Sequence, residues 1–105
     1  MRGDVVRVPA ASGAKGREQR GARFGVVVQS DDLLLSTVLV MPTSAASLPM
    51  VHRPEVVLLG QRTCLLVEQT RAINRESLGP SVGRLSYDDL GRLDDALRLA
   101  LGLDN

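Results

Sequence analysis

The sequence predicts a mainly β protein: a small, strongly curved sheet or barrel with a single C-terminal helix packed against it. Two observations carry this. Short β-branched runs separated by glycine- and proline-rich breaks fill residues 1–86, and a leucine repeat of helical period follows them. The length of 105 residues adds a bound, since it allows one modest core and is expected to form one domain over 1–105.

The elements follow in order. "DVVRVP" (4–9) reads as a short strand ended by Pro9, which cannot donate to a ladder. "AASGAKGREQRGA" (10–22) is small, glycine-rich and charged, the signature of a long loop. "RFGVVVQS" (23–30) is a β-branched run suited to a strand buried on both faces, and Asp31 and Asp32 break it. Within "LLLSTVLVMP" a strand is expected from Ser36 to Met41, followed by a second loop at 43–54. "EVVLL" (55–59) is a strand and "GQR" (60–62) a turn. "TCLLVEQTRAI" (63–73) supplies one or two more strands, "GPSVG" (79–83) a turn, and "RLS" (84–86) a last brief strand.

The helix is expected to start at Ser86. Ser86 and Asp89 match the S-x-x-D/E capping box, and Asp88 and Asp89 suit the positive end of the helix dipole. Leu90, Leu93, Leu97 and Leu101 recur on one face, widened by Ala96 and Ala100; Asp94, Asp95 and Arg98 face away. Gly102 is placed to end it.

Composition excludes several function classes. With one Phe, one Tyr and no Trp, base recognition by aromatic stacking in the manner of single-strand-binding sheets is disfavoured, as is an aromatic-lined peptide groove. Cys64 is the only cysteine and His52 the only histidine, so a cysteine metal cluster and a two-histidine nuclease pair are both ruled out. Cys64, in an apolar strand pattern, reads as a buried small hydrophobe. No signal architecture and no spanning apolar run occur, so a cytoplasmic protein away from the membrane is expected. Charge is unevenly spread: residues 1–84 hold eleven basic and seven acidic side chains, a net +4, whereas residues 85–105 hold two and five, a net −3. Twelve of the thirteen basic residues are arginine, whose planar fork suits phosphate, although a genome rich in G and C gives the same bias.

The dense polar stretches are 15–23 and 43–47. If the strands at 23–30 and 36–42 pair antiparallel through the turn at 31–35, Arg23 lies beside Thr43 and Ser44. An arginine fork facing two hydroxyls is a phosphate-binding arrangement; an ordinary solvated loop is the alternative.

The same residues resemble a known family. "RGDVVRV", "GREQRGARFGVVVQSD", "TVLVMPTSAAS", "PEVVLLGQ" and "VEQTRAINRESLG" are similar, in order, to the MazF/PemK-type toxins of bacterial toxin–antitoxin pairs. The likeness lies in Gly3-Asp4-Val5-Val6, in Gly16, Glu18, Gln19 and Arg23 ahead of Val26–Val28, in Pro42-Thr43-Ser44, and in Glu68-Gln69 with Arg71-Ala72-Ile73. Phe24-Gly25 stands where the family usually has proline after the arginine.

That resemblance implies an SH3-like barrel of the MazF/CcdB kind, acting as a homodimer. It implies a metal-independent endoribonuclease, needing no cofactor, that cuts single-stranded RNA by attack of the 2′-hydroxyl. The products are a 2′,3′-cyclic phosphate and a 5′-hydroxyl end. The catalytic residues carried over are Arg23, Thr43 and Glu18. Arg17 and Arg20 are expected to steer phosphates, with Gln19 and Ser44 also at the substrate. Gln69 and Arg71 either line the groove or leave Arg71 paired with Glu68. The expected partners are RNA and a MazE-like antitoxin with an acidic, apolar tail. A non-nuclease toxin of the same fold acting on gyrase, or a degenerate antitoxin binder, is the alternative; a peptide-binding SH3 adaptor is a third.

Overall fold

The computed structural model describes residues 1–9 and 23–103. Seven strands and one helix make up the fold: β1 (Asp4–Val8), β2 (Arg23–Val27), β3 (Thr37–Ser44), β4 (Glu55–Leu58), β5 (Gln61–Leu65), β6 (Arg71–Asn74), β7 (Ser81–Arg84) and α1 (Tyr87–Leu101). The strands run in the order β4-β5-β3-β2-β1-β7, and β6 pairs with the first half of β3. All pairings are antiparallel. The mainly β class with a C-terminal helix is therefore as the sequence predicts.

β3 organises the sheet by changing partners. Its residues Thr37–Val40 pair with β6, and Thr43–Ser44 pair with Leu65 and Cys64 of β5. Pro42 sits in the gap between the two ladders, where its missing N–H interrupts neither. The strand therefore runs on through Thr43 and Ser44, the first residues of the expected 43–54 loop. β7 is likewise displaced from expectation: Ser81–Arg84 is strand and pairs with β1, so the last strand takes in most of the expected 79–83 turn and ends at Arg84.

The β2–β3 connection fixes the register that matters most. Gln29, only 5% exposed, donates from Nε2 to the Leu33 and Thr37 carbonyls and accepts the Leu39 N–H at Oε1. A buried amide satisfied three times holds the turn in one geometry. The pairs Gly25–Pro42, Val26–Met41 and Val27–Val40 follow.

Period-two alternation sends the strand side chains into two clusters. Val5, Val26, Met41, Val56, Leu58, Leu65 and Val67 meet Leu93 and Ala96 of the helix in the main core. Val6, Val27, Val38, Val40 and Ile73 form the second, on the other face of the sheet. Ser86 caps the helix by accepting the Asp89 N–H, and Gly102 ends it at φ 69°, both at the expected positions. The buried stripe is narrower than predicted: Leu90 and Leu97 are partly buried, while Leu101 is 65% exposed. The Asp89 carboxylate does not close the box back onto Ser86. It accepts the Val57 N–H of β4 at 3.4 Å, and Arg92 donates to the Glu55 carbonyl at 2.5 Å, so α1 also covers the outer edge of β4.

Gly25 explains why the chain carries no side chain directly after Phe24. A Cβ there would stand 2.5 Å from Val40 Cγ1 and 3.1 Å from the Met41 carbonyl oxygen. Because that neighbourhood is strand backbone and a branched core side chain, Gly25→Ala is expected to cost about 1–3 kcal/mol through overpacking, read from urea unfolding. Unchanged stability would mean that β2 and β3 separate freely here.

Candidate functional site

Arg23 opens β2 and Thr43-Ser44 close β3. Continuing the register beyond Gly25–Pro42 sets Phe24 opposite Thr43 and Arg23 opposite Ser44. These residues line one concavity of about 320 Å³, together with Ala45 and Ala46 of the following loop and Leu58, Leu59, Gln61 and Thr63 of the β4–β5 hairpin. The structure thus brings Arg23, Thr43 and Ser44 to one end of the sheet.

Their hydrogen bonds differ. Thr43 Oγ1 donates to the Phe24 carbonyl at 3.0 Å, which ties β3 to β2 beside Arg23 and occupies the hydroxyl proton. Ser44 Oγ accepts the Ala46 N–H at 3.2 Å, a turn contact that leaves its own proton for another acceptor. The Arg7 guanidinium stands 5.3 Å from the centroid of the Phe24 ring, a cation–π contact that fixes the ring next to Arg23.

With this geometry in place, comparison with known proteins decides the family. The family model described as "PemK-like, MazF-like toxin of type II toxin-antitoxin system" matches residues 1–101. The chain belongs to this toxin family. A protein of Mycobacterium tuberculosis (strain ATCC 25618 / H37Rv), Rv3098A, named as a candidate toxin, is 38% identical over 104 residues, which is 98% of each chain. A solved endoribonuclease from Mycobacterial species in complex with its cognate antitoxin is similar in fold. Its TM-score is 0.80 at 17% identity, over 100% of this chain and 97% of that one. MazF from Deinococcus radiodurans aligns with TM-score 0.75 at 18% identity, over 97% and 96%. The MazF-like barrel expected from the sequence is the fold of this toxin.

The remaining predicted site residues of the toxin are distributed unevenly. Arg17, Glu18, Gln19 and Arg20 lie outside the described residues. Gln69 is exposed in a 3-10 turn at Val67–Gln69 and donates to Glu68 at 3.5 Å. Arg71 opens β6, and its Nη2 donates to the Pro9 carbonyl at 3.2 Å. Neither lines the concavity beside Arg23.

The Glu68–Arg71 pair, the alternative to a groove-lining Arg71, does not form; Glu68 has another partner. Glu68 is held by Arg53, with Nε at 2.9 and 3.2 Å from the two carboxylate oxygens and Nη2 bonded to Oε2. This guanidinium lowers the Glu68 pKa to about 2, so the carboxylate is charged throughout the neutral range. Arg53 Nη1 also donates to Ser47 Oγ at 3.1 Å. One arginine thereby anchors the loop that leaves Ser44 to the turn that leads into Arg71. Arg84 and Arg75 are bound within the fold as well, to Asp4 and to the Leu35 carbonyl.

Sequence reasoning missed the hairpin wall of Leu58, Leu59 and Gln61. The available signal was a two-residue turn: "LG" between two short strands whose second central residue is glycine.

Proposed function

We propose that this chain is a single-domain endoribonuclease toxin that cuts single-stranded RNA without a metal ion. The observation that supports it best is the meeting of Arg23 with the Thr43 and Ser44 hydroxyls in one concavity at the sheet end. In the reaction the RNA 2′-oxygen forms a bond to the adjacent phosphorus and the bond from phosphorus to the 5′-oxygen breaks. A 2′,3′-cyclic phosphate and a 5′-hydroxyl end result.

Negative charge accumulates on the non-bridging oxygens as the 2′-oxygen attacks. The Arg23 guanidinium offers two parallel donors to such oxygens, and a donor of this type, once preorganised, lowers the barrier by roughly 3–4 kcal/mol. Ser44 donates its available proton to the same phosphate. Thr43 does so after its hydroxyl turns from the Phe24 carbonyl. Arginine stays protonated at neutral pH, so Glu18 is the residue assigned to accept the 2′-proton, and the departing 5′-oxygen takes up a proton from solvent water as its bond to phosphorus breaks. Arg17 and Arg20 attract the backbone on either side, with Gln19, Gln69 and Arg71 further along the groove. DNA, lacking the 2′-hydroxyl, binds without being cut.

The toxin acts in the cytoplasm as a homodimer. A cognate MazE-like antitoxin neutralises it by laying an acidic, apolar tail across the basic groove. Thr43→Ala is expected to slow cleavage at least about tenfold, the loss of one transition-state donor. Wild-type single-turnover rates in that variant would remove Thr43 from the mechanism.

The deciding experiment incubates the purified protein with a mixed RNA pool in EDTA and maps every new 5′ end. Cuts at one short motif bearing 5′-hydroxyls support the nuclease. Intact RNA from folded protein overturns it and directs the next assay to gyrase.

A further inference from the structure

The concavity beside Arg23 is chemically two-sided. Its floor near β2 and β3 is polar, with Arg23, Thr43 and Ser44; its other wall, Phe24 and the β4–β5 hairpin, adds apolar surface from Leu58, which is buried, and Leu59, which is exposed, beside the polar Gln61 and Thr63. A phosphate needs only the first side. A group with flat apolar faces and a polar edge, covalently next to that phosphate, needs both.

Leu59 is the unusual residue in this wall. It is the only non-glycine residue with positive φ among those described, at 52°, and Gly60 follows at 80°. Two successive left-handed residues between Leu58 and Gln61 make the tight primed hairpin turn, whose first position favours Asn, Asp or Gly. A leucine there is strained, because its Cβ crowds the backbone in the left-handed region. Its side chain is 53% exposed all the same, so burial alone does not account for it. The opposite strand makes room for it: a Cβ on Gly83 of β7 would lie 3.0 Å from Leu59 Cδ2. A strained apolar residue, seated over a glycine and facing a recess next to phosphate-binding groups, is a feature of function more than of folding.

We infer that this recess is a nucleobase subsite, in which Leu59 and Phe24 flank the base and Gln61 reads its polar edge. The inference rests on the nuclease reading and names the part of the substrate that the hairpin selects. The volume of about 320 Å³ lies at the small end of ligand pockets, roughly 300–1,000 Å³, and suits one heterocycle next to its phosphate. Gln61 is exposed at the start of β5, and its amide offers two donors and an acceptor, the set that pairs with a base edge. Phe24 is kept in place by the Arg7 guanidinium against its ring. Thr63 is turned inward, donating to the Gln61 carbonyl at 3.2 Å, and steadies the backbone from which Gln61 projects.

The test compares wild type, Leu59→Gly and Gln61→Ala on synthetic RNAs in which each nucleotide flanking the cut is varied through the four bases. The reading is the ratio of kcat/KM between best and worst base at each position. Both variants are expected to narrow that ratio about fivefold or more at one flanking position and at no other, the loss expected for a base-edge contact. Leu59→Gly is expected to melt no lower than wild type, because glycine takes positive φ without strain. If its contact with Gly83 is needed for folding, the exposed Gln61→Ala decides alone. A wild type that cuts while the folded variants keep its full base profile overturns the subsite and leaves the nuclease standing. A wild type that leaves every RNA intact withdraws both.

Discussion

Arg23→Ala is expected to reduce RNA cleavage by about 10²–10³-fold, the effect of deleting one preorganised donor to a developing oxyanion, and to abolish growth arrest while the protein stays folded. The fold is retained because Arg23 occupies the first position of β2, where it pairs through its backbone with Val8 and its side chain is only partly buried. Arg23→Lys sharpens the test. Lysine keeps the charge but loses the two-pronged geometry, so cleavage is expected between that of wild type and of the alanine variant. Full activity in Arg23→Ala, measured with the same circular dichroism spectrum as wild type, would take Arg23 out of the reaction.

The second large effect concerns the helix. Leu93 is completely buried and joins strands β1, β2, β3, β4 and β5 to α1 through the main core. Leu93→Ala is expected to cost about 2–5 kcal/mol, the transfer term plus the cavity. Each kcal/mol lowers the melting temperature of a domain this size by roughly 4–8 °C. The neighbouring Leu97 is only partly buried, so Leu97→Ala serves as the smaller internal comparison. A loss under about 1 kcal/mol for Leu93 would mean that the core closes around the vacancy, at the low extreme of such substitutions.

How much of this was legible in the sequence depends on how local the cause was. The helix was readable nearly to the residue, since Ser86, the leucine period and Gly102 each act within a turn of where they stand. The placement of Arg23 at the same end of the sheet as Thr43 and Ser44 followed from one antiparallel pairing of neighbouring strands. The extension of β3 was hidden by Pro42, which normally argues against a strand; only the change of partner from β6 to β5 creates a position that tolerates it. The Glu68 partner was hidden for another reason. Arg71 is three positions away in sequence, but Arg53, fifteen positions back, is delivered by the reciprocal Met50–Arg53 backbone hydrogen bonds. The hairpin wall of the site joins residues near 24, 44 and 59, a coincidence of sheet curvature with no local signature.

The side chains of Asp89 and Arg92 give the sheet a border. Glu55 and Val57 are the outward-facing residues of β4, and their free carbonyl and N–H are met by a carboxylate and a guanidinium three positions apart on the helix. The pair supplies an acceptor and a donor where a neighbouring strand would supply the same two groups. β4 is an end of the strand order, and an open end is a template on which a second extended chain can continue the ladder. Here the template has already been copied once, by side chains that cannot themselves be extended. The C-terminal helix therefore terminates the sheet as well as filling its core, and any partner that binds by adding a strand must do so elsewhere.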